Sequence, residues 1–598
     1  MINQPTELPV SKAPANELVE DARSAVKRDP CSVLKEISKA PLHDSDNKVF
    51  NALKKAGYAF DAPITSIALS DDFQYPCIRP MDMIRKTIEA GFIDKVLGVP
   101  PSRAEQTFSQ FWDKYRKIHG DHDLFDPGWG NVDFSHLVPY YLHGDGGRTY
   151  KKGSILVLSM YSALGQGTAK NPVARPESSS SRKRKRHEKK WGDDDDADCQ
   201  MGINLLGNSL ANRFLFAGIN VLHYKHALDR LDTLLDVWGK ELRRLLDEGF
   251  EYSGHTWRVA VLGVTGDAPF LKEVGFHNRS FHNVRKSSQA TKALPGVCWL
   301  CSAGMTGGPR FEDTSIVSAE WIRTSGVDNP IPWTVPSPLL MHLPIDQRRP
   351  AEFYRPDIFH IYHAGVGKDF SASSCIYFLR SIFKARNIDS SLETANAELR
   401  SYLNATKDRV SFSKLTFELL GYESSKSFPV GHWSKNLDTA TLMKFVEKVA
   451  KDHLPIYAGD EILRLIAEAS EAIGTFIRIL FSSEYFLTPQ KAGEAIKCGH
   501  FFLLRYMSLT QVCMRHKFCL FSVKPKLHML AHLVLRMRLQ YQIDKAAVIN
   551  CISESTFMAE DFIGKVARLS RRVSPKLQGL KLLYRYLIAI ERAMDAEK

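Results

Sequence analysis

The sequence predicts a mixed α/β core joined to a largely helical C-terminal half. Three observations carry that reading. Short apolar runs of strand length alternate with an amphipathic helix between about residues 137 and 265. From about Ile376 onward the apolar residues recur at helical spacing, as in IYFLRSIFKAR and DEILRLIAEASEAIGTFIRILF. Between them, the apolar run Val259, Ala260, Val261, Leu262 and Val264 stops at Gly266-Asp267, and a short helical pattern follows from Pro269. A buried strand that ends in an acid and turns into a helix presents a carboxylate at the edge of a sheet. Asp267 is equally suited to capping that helix.

At 598 residues the chain exceeds what one core accommodates, so several domains are expected. No window holds 18 uncharged apolar residues, and even HFFLLRYMSL is interrupted by Arg505. No membrane span is expected. The N-terminus lacks an apolar signal core, which argues against secretion. Ten cysteines, mostly scattered singly, suggest a reducing compartment, cytosol or nucleus, and no disulfide framework. The formal net charge is +13. Residues 521–598 hold 14 Lys or Arg against 7 Asp or Glu, so more than half of the excess lies in that tract. DNA or RNA is the natural partner for such a charge, although a helical domain with a well-solvated basic face has the same composition.

In chain order, residues 1–45 read as a flexible polar tail and residues 46–128 as a small helical unit. In that unit Met83, Ile84, Ile88, Phe92 and Ile93 share one face, and Phe108, Phe111, Trp112 and Tyr115 another. Residues 129–375 carry the core strands. HLVPYYLHGDGG reads as a strand closed by a Gly-rich turn, with SILVLSMYSAL and RFLFAGINVL as the second and third strands. Leu228, Leu231, Leu235, Trp238, Leu242 and Leu245 mark an amphipathic helix before the strand that ends at Asp267. A charged insert over 170–200 reads as a disordered loop, its seven basic and seven acidic residues between 176 and 198 cancelling. Within it, RKRKRHEKK reads as a nuclear localisation signal, or as the basic half of a solvated polyampholyte whose acidic half follows. Residues 376–520 form a helical insertion, and 521–598 supply helices that complete the core. Three strands, a helix and a fourth strand, with the first and fourth each ending in Asp, is the order of a ribonuclease H-like core.

Two constellations carry chemistry. Asp145 in HGDGG, Asp267 in VTGDAPF and Glu560 in FMAEDFIGKVARLSRR offer two strand-end carboxylates and one helix carboxylate. Held together they would repel unless a cation neutralised them, and Mg²⁺ or Mn²⁺ takes such hard oxygen ligands. A pair of these ions serves phosphodiester chemistry. Asp133 and Glu554 compete with Asp145 and Glu560 for these roles. The second constellation is Cys298-Trp-Leu-Cys301 with two histidines, which completes a tetrahedral zinc site. Both His528 with His532, at helical spacing, and the nearer His277 with His282 offer the pair.

The order Asp145, Asp267, Cys298-x-x-Cys301, Asp357-x-x-His360, His528-x-x-x-His532, Glu560 resembles that of eukaryotic cut-and-paste DNA transposases, over about residues 130–575. The likeness is to the CACTA and Kyakuja–Dileera–Zisupton group. GDAPFLKEVGF followed by GVCWLC resembles its second-aspartate block, RPDIFHIYHAGVGKDF its D-x-x-H block, and KPKLHMLAHL followed by AEDFIGKVARLSR its closing block. The resemblance implies that Asp145, Asp267 and Glu560 hold Mg²⁺ and cut and join DNA, with Asp357 and His360 beside the cleft. It implies a structural zinc on Cys298, Cys301, His528 and His532, as in the V(D)J recombinase core. It also implies transposon ends and target DNA as partners, a homo-oligomer and a nuclear location. Lys565, Arg568, Arg571 and Arg572, beyond Glu560, would then face DNA. A domesticated, inactive DNA-binding protein and a metal-dependent nuclease without strand transfer are the alternative expectations.

Overall fold

The computed structural model describes residues 15–28, 31–126, 132–149, 153–173, 200–284, 293–571 and 573–597. The localisation-signal stretch 182–190 and Arg572 lie outside them. Within the segment expected to be a flexible tail, helices Ala15–Ala25 and Ser32–Ser38 pack on helix Ser45–Lys55 through Val19, Ala22, Ile37 and Val49. Their few apolar residues lie three and four apart and bury one another, a pattern that average composition conceals. The 46–128 unit needs a correction too. Its strands β1 (Thr65–Ser70) and β2 (Phe73–Cys77) form an antiparallel hairpin, with Ile67, Leu69, Tyr75 and Cys77 buried at a period of two. The hairpin is tied to the core by the Tyr75 hydroxyl, which donates to the Gly218 carbonyl at 2.6 Å.

The core is one mixed sheet. β3 (Leu137–Arg148) and β4 (Ser154–Ser162) are antiparallel. β5 (Gly167–Thr168) and β6 (Asn171–Pro172) form a separate two-stranded pair. β7 (Phe214–Asn220) runs antiparallel to β4, and β8 (Phe250–Tyr252) hairpins onto β9 (His255–Thr265). β9 lies parallel to β3 on its other side, and β10 (Tyr354–Arg355) lies parallel to β9. The resulting order is β10-β9-β3-β4-β7. β4, β7 and β9 are buried almost throughout, as strands covered on both faces are. Trp238 of helix Leu228–Asp247 stacks on Phe216, ring centroids 5.3 Å apart. Helix Phe557–Leu569 covers β3, and helix Gln578–Asp595 covers β7 and β2.

The HGDGG stretch is strand and not turn. β3 continues through it to Arg148, with Asp145 opposite Val157. Its glycines serve close approach. A Cβ on Gly144 would run into the ring of Phe270, and one on Gly147 would lie 2.6 Å from the Ala567 Cβ. The helices that follow Asp267 and carry Glu560 therefore sit directly on β3.

Beyond β10 the described residues hold no strand. The helical part begins at Phe359, earlier than the expected residue 376, with a wide π-type turn over Phe359–Val366 that leads into helix Gly367–Arg380. That helix is buried nearly all round, so no amphipathic stripe marks its start. Helix Glu461–Phe481 packs on Pro489–Arg515, which packs on Pro525–Ile543.

Candidate catalytic and metal sites

The parallel pairing of β3 and β9 places the first two acids side by side. His143 is in register with Thr265, so Asp145 and Asp267, each two residues further on, reach the same level on adjacent strands. Neighbouring strands lie about 4.8 Å apart. Glu560 comes to the same place on the first turn of helix Phe557–Leu569. Its carboxyl lies close enough to that of Asp145 for each to shift the other's titration. Burial and the charge of Asp267 push Asp145 up to about 6. Burial and the charge of Asp145 push Glu560 up to about 8. One carboxylate oxygen in each strand acid is already engaged. Asp145 Oδ1 accepts from the Gly146 N–H at 2.6 Å, and Asp267 Oδ1 caps its helix by accepting from the Phe270 N–H at 2.8 Å. Glu560 Oε1 is buried without a hydrogen-bond partner. Three hard-oxygen groups with free lone pairs, two of them pushed up by burial and by one another's charge, suit a hard divalent cation such as Mg²⁺ or Mn²⁺.

Asp357 and His360 join this cluster. Asp357 is buried, and its Oδ1 accepts from the N–H groups of Phe359 at 2.8 Å and Thr556 at 3.1 Å. Its Oδ2 accepts from the Thr556 hydroxyl at 2.6 Å and from His360 Nδ1 at 2.7 Å. Asp357 thus caps its own helix and also anchors Thr556, the residue that opens the Glu560 helix. His360 Nε2 lies 3.6 Å from Glu560 Oε1. Burial opposes charge on this imidazole, but the hydrogen bond and charge of Asp357, helped by Glu560 and Asp267, raise it to about 9. Near neutrality an imidazolium therefore bridges Asp357 and Glu560. An open pocket lies beside the cluster, bordered by Asp267, Pro269, Asp357, His360, Lys526 and Trp299.

Trp299 belongs to the second constellation. The ligand atoms of Cys298, Cys301, His528 and His532 all lie within 4.8 Å of one another, and all four residues are buried. The Nε2 atoms of His528 and His532 are each 3.3 Å from Cys301 Sγ. The cysteine loop is shaped by its own amides. Leu300 N–H donates to Cys298 Sγ at 3.3 Å and Ala303 N–H to Cys301 Sγ at 3.4 Å, which favours thiolates. Arg279 clamps the loop through the Cys298 and Trp299 carbonyls. Trp321 packs against both imidazoles. This is a donor set for a metal ion, and it resolves the open choice of histidines. His277 is stacked among Trp299, Trp333 and Tyr354, outside the cluster, and His282 is exposed. Neither joins the cysteines.

The competing acids are accounted for elsewhere. Glu554 is fully buried between Arg536, which engages both its oxygens, and Arg355 at 3.6 Å, so it belongs to a core ion triad. Asp133 caps a short turn before β3, at the opposite end of the strand from Asp145. Among the basic residues, Arg568 and Arg571 are exposed. Lys565 is engaged by Asp561 at 2.8 Å and by Ser209 at 2.9 Å. Sequence reasoning passed over Thr556; its only signal was its place as the hydroxyl residue before the helix. No helix among the described residues is long and apolar enough to cross a membrane. Set against known proteins, the chain matches no family model and no curated protein.

Proposed function

We propose that the chain is a metal-dependent DNA phosphoryl transferase of the transposase kind, acting at Asp145, Asp267 and Glu560. The observation that carries this reading is the meeting of three carboxylates from β3, the end of β9 and a helix far along the chain. The strand order, three antiparallel strands followed by two parallel to the first, supports a ribonuclease H-like core. The three acids would hold Mg²⁺ or Mn²⁺, which when bound activates a water or hydroxyl and stabilises the oxygen that leaves a phosphodiester. The protein's part is positional. Gly144 and Gly147 let the acid-bearing helices close on β3. Asp357 fixes Thr556 at the start of the Glu560 helix. The His360 cation sits beside Glu560 and offsets part of the acids' repulsion. Arg568, about two turns beyond Glu560, and Arg571, just past the end of that helix, would take phosphates of duplex DNA. The Cys298 cluster would hold a structural Zn²⁺, and the proposed setting is the nucleus, as a homo-oligomer.

The test is nicking of supercoiled plasmid in Mg²⁺ or Mn²⁺, followed by joining of a duplex with a free 3′-hydroxyl to that plasmid. Cleavage and joining that are both lost in Asp267→Asn and Glu560→Gln support the reading. Cleavage without joining would make the protein a nuclease. Tight DNA binding with no metal-dependent cleavage would leave a binding protein. Cleavage that survives both substitutions would remove the assigned site.

A further inference from the structure

At the opposite end of the β3–β9 pair lies a group that the proposed chemistry does not use. His136, just before β3, is buried to more than nine-tenths. Its Nδ1 lies 2.7 Å from Asp133 Oδ2 and 2.9 Å from the Ser135 hydroxyl, which itself donates to Asp133 Oδ1 at 2.6 Å. A carboxylate can only accept, so Nδ1 carries a proton and Nε2 is the ring nitrogen left for a ligand. That Nε2 is buried with no hydrogen-bond partner. It faces Glu105 Oε1, 3.5 Å away on the first turn of helix Ala104–Ile118. The ring of His255, the first residue of β9, stacks on His136 with centroids 4.5 Å apart, and Trp257 holds the other ring edge-on. Ligand atoms of Glu105, His136 and His255 all lie within 4.8 Å of one another.

We propose that Glu105, His136 and His255 bind one late first-row divalent cation, best matched by Zn²⁺, with Asp133 orienting His136 from behind. Two imidazoles and one carboxylate select such ions over Mg²⁺, which prefers an all-oxygen set. A carboxylate on the far nitrogen of a ligating histidine fixes its tautomer and raises its basicity. Three protein ligands leave the fourth tetrahedral position to water. The ion would tie helix Ala104–Ile118 to the starts of β3 and β9. It would sit roughly 30 Å along β3 from Asp145, by the rise of a strand, so it takes no part in the carboxylate cluster.

The test counts Zn²⁺ bound by the full chain after chelator stripping and dialysis against the metal, with titration calorimetry for affinity. His255→Ala is the main variant because its side chain is exposed, and exposed His226→Ala is the control. The expected result is one Zn²⁺ fewer per chain in His255→Ala and no change in His226→Ala. Asp133→Asn should weaken the same site by about 10–100-fold. The difference between variant and wild type carries the test, so it stands whatever the Cys298 cluster or the carboxylates bind. Equal zinc in wild type and His255→Ala would overturn the site and leave His136 and Glu105 as a plain ion pair. Equal loss in His226→Ala would reduce it to adventitious surface binding.

Discussion

Asp357 shows how one side chain can set the position of another that it never touches. Its Oδ1 holds two backbone amides, while Oδ2 holds the Thr556 hydroxyl and His360 Nδ1. Asp357→Asn keeps the first oxygen and turns an NH₂ toward the second set. The helix cap survives, since Asn caps nearly as well as Asp. His360 and Thr556 lose their acceptor. The expected outcome is a stability loss of about 1–3 kcal/mol from the buried donors left unpaired, with metal-dependent cleavage by the still-folded variant lowered about 10–100-fold, the range for groups that orient a metal ligand. Full cleavage by the folded variant would assign Asp357 to stability alone. The raised carboxyls give a second residue-level prediction. In the metal-free protein Glu560 at about 8 and Asp145 at about 6 bind protons that the unfolded chain has already released. The folded state therefore loses stability as pH rises from the ordinary carboxylate range to about 8. Mg²⁺ should raise the melting temperature more at about pH 8 than at about pH 5, and Glu560→Gln should reduce that difference, leaving the part that Asp145 contributes. A Mg²⁺ response that is the same at both pH values would count against the cluster. The acids themselves were legible in the sequence from their order and flanking patterns. What separates Glu560 from Glu554 was not, because burial between Arg355 and Arg536 depends on packing that no local pattern encodes.

At the scale of elements, HGDGG misleads because a glycine run has two physical uses. It permits a turn, and it also lets another element approach a strand closely. Here the second applies, and it makes a paired prediction. A Cβ on Gly147 would lie 2.6 Å from Ala567 Cβ and lift the Glu560 helix, whereas a Cβ on Gly146 meets only the Ser154 hydroxyl oxygen at 3.6 Å. Gly147→Ala should cost about 1–3 kcal/mol of stability by overpacking and lose cleavage. Gly146→Ala, which keeps the amide that Asp145 uses, should retain both. Equal behaviour of the two variants would mean that this close approach does not position the helix. The four longer core strands were readable from their apolar runs. The two-residue β10 was not, since its place follows from pairing with Val264 and Thr265 and no run of its own. The β1–β2 hairpin was hidden because its alternating residues lie beside strong helical patterns.

For the whole molecule, charge and chain order matter more than any one side chain. Replacing Arg568 and Arg571 with Glu should weaken binding to every duplex and reduce the slope of log affinity against log salt by about one for each phosphate no longer neutralised. An unchanged slope would turn that face away from DNA. Chain order has its own consequence. Lys95 and Glu597 pair at 2.8 Å although 502 residues apart, and Tyr586 reaches Arg213 across 373 residues. The sheet made early is thus covered by helices made late. During synthesis the ribosome needs roughly 7–30 s to traverse residues 376–520. Throughout that interval Asp145 and Asp267 exist without Glu560, and β3 and β7 lack the cover of helices Phe557–Leu569 and Gln578–Asp595. A nascent chain stalled before Phe557 should therefore be readily cut by protease in β3 and β7, and should not nick DNA. On the proposed function, the three acids can meet only when the Glu560 helix emerges and folds back, so translation itself would time the appearance of cleavage.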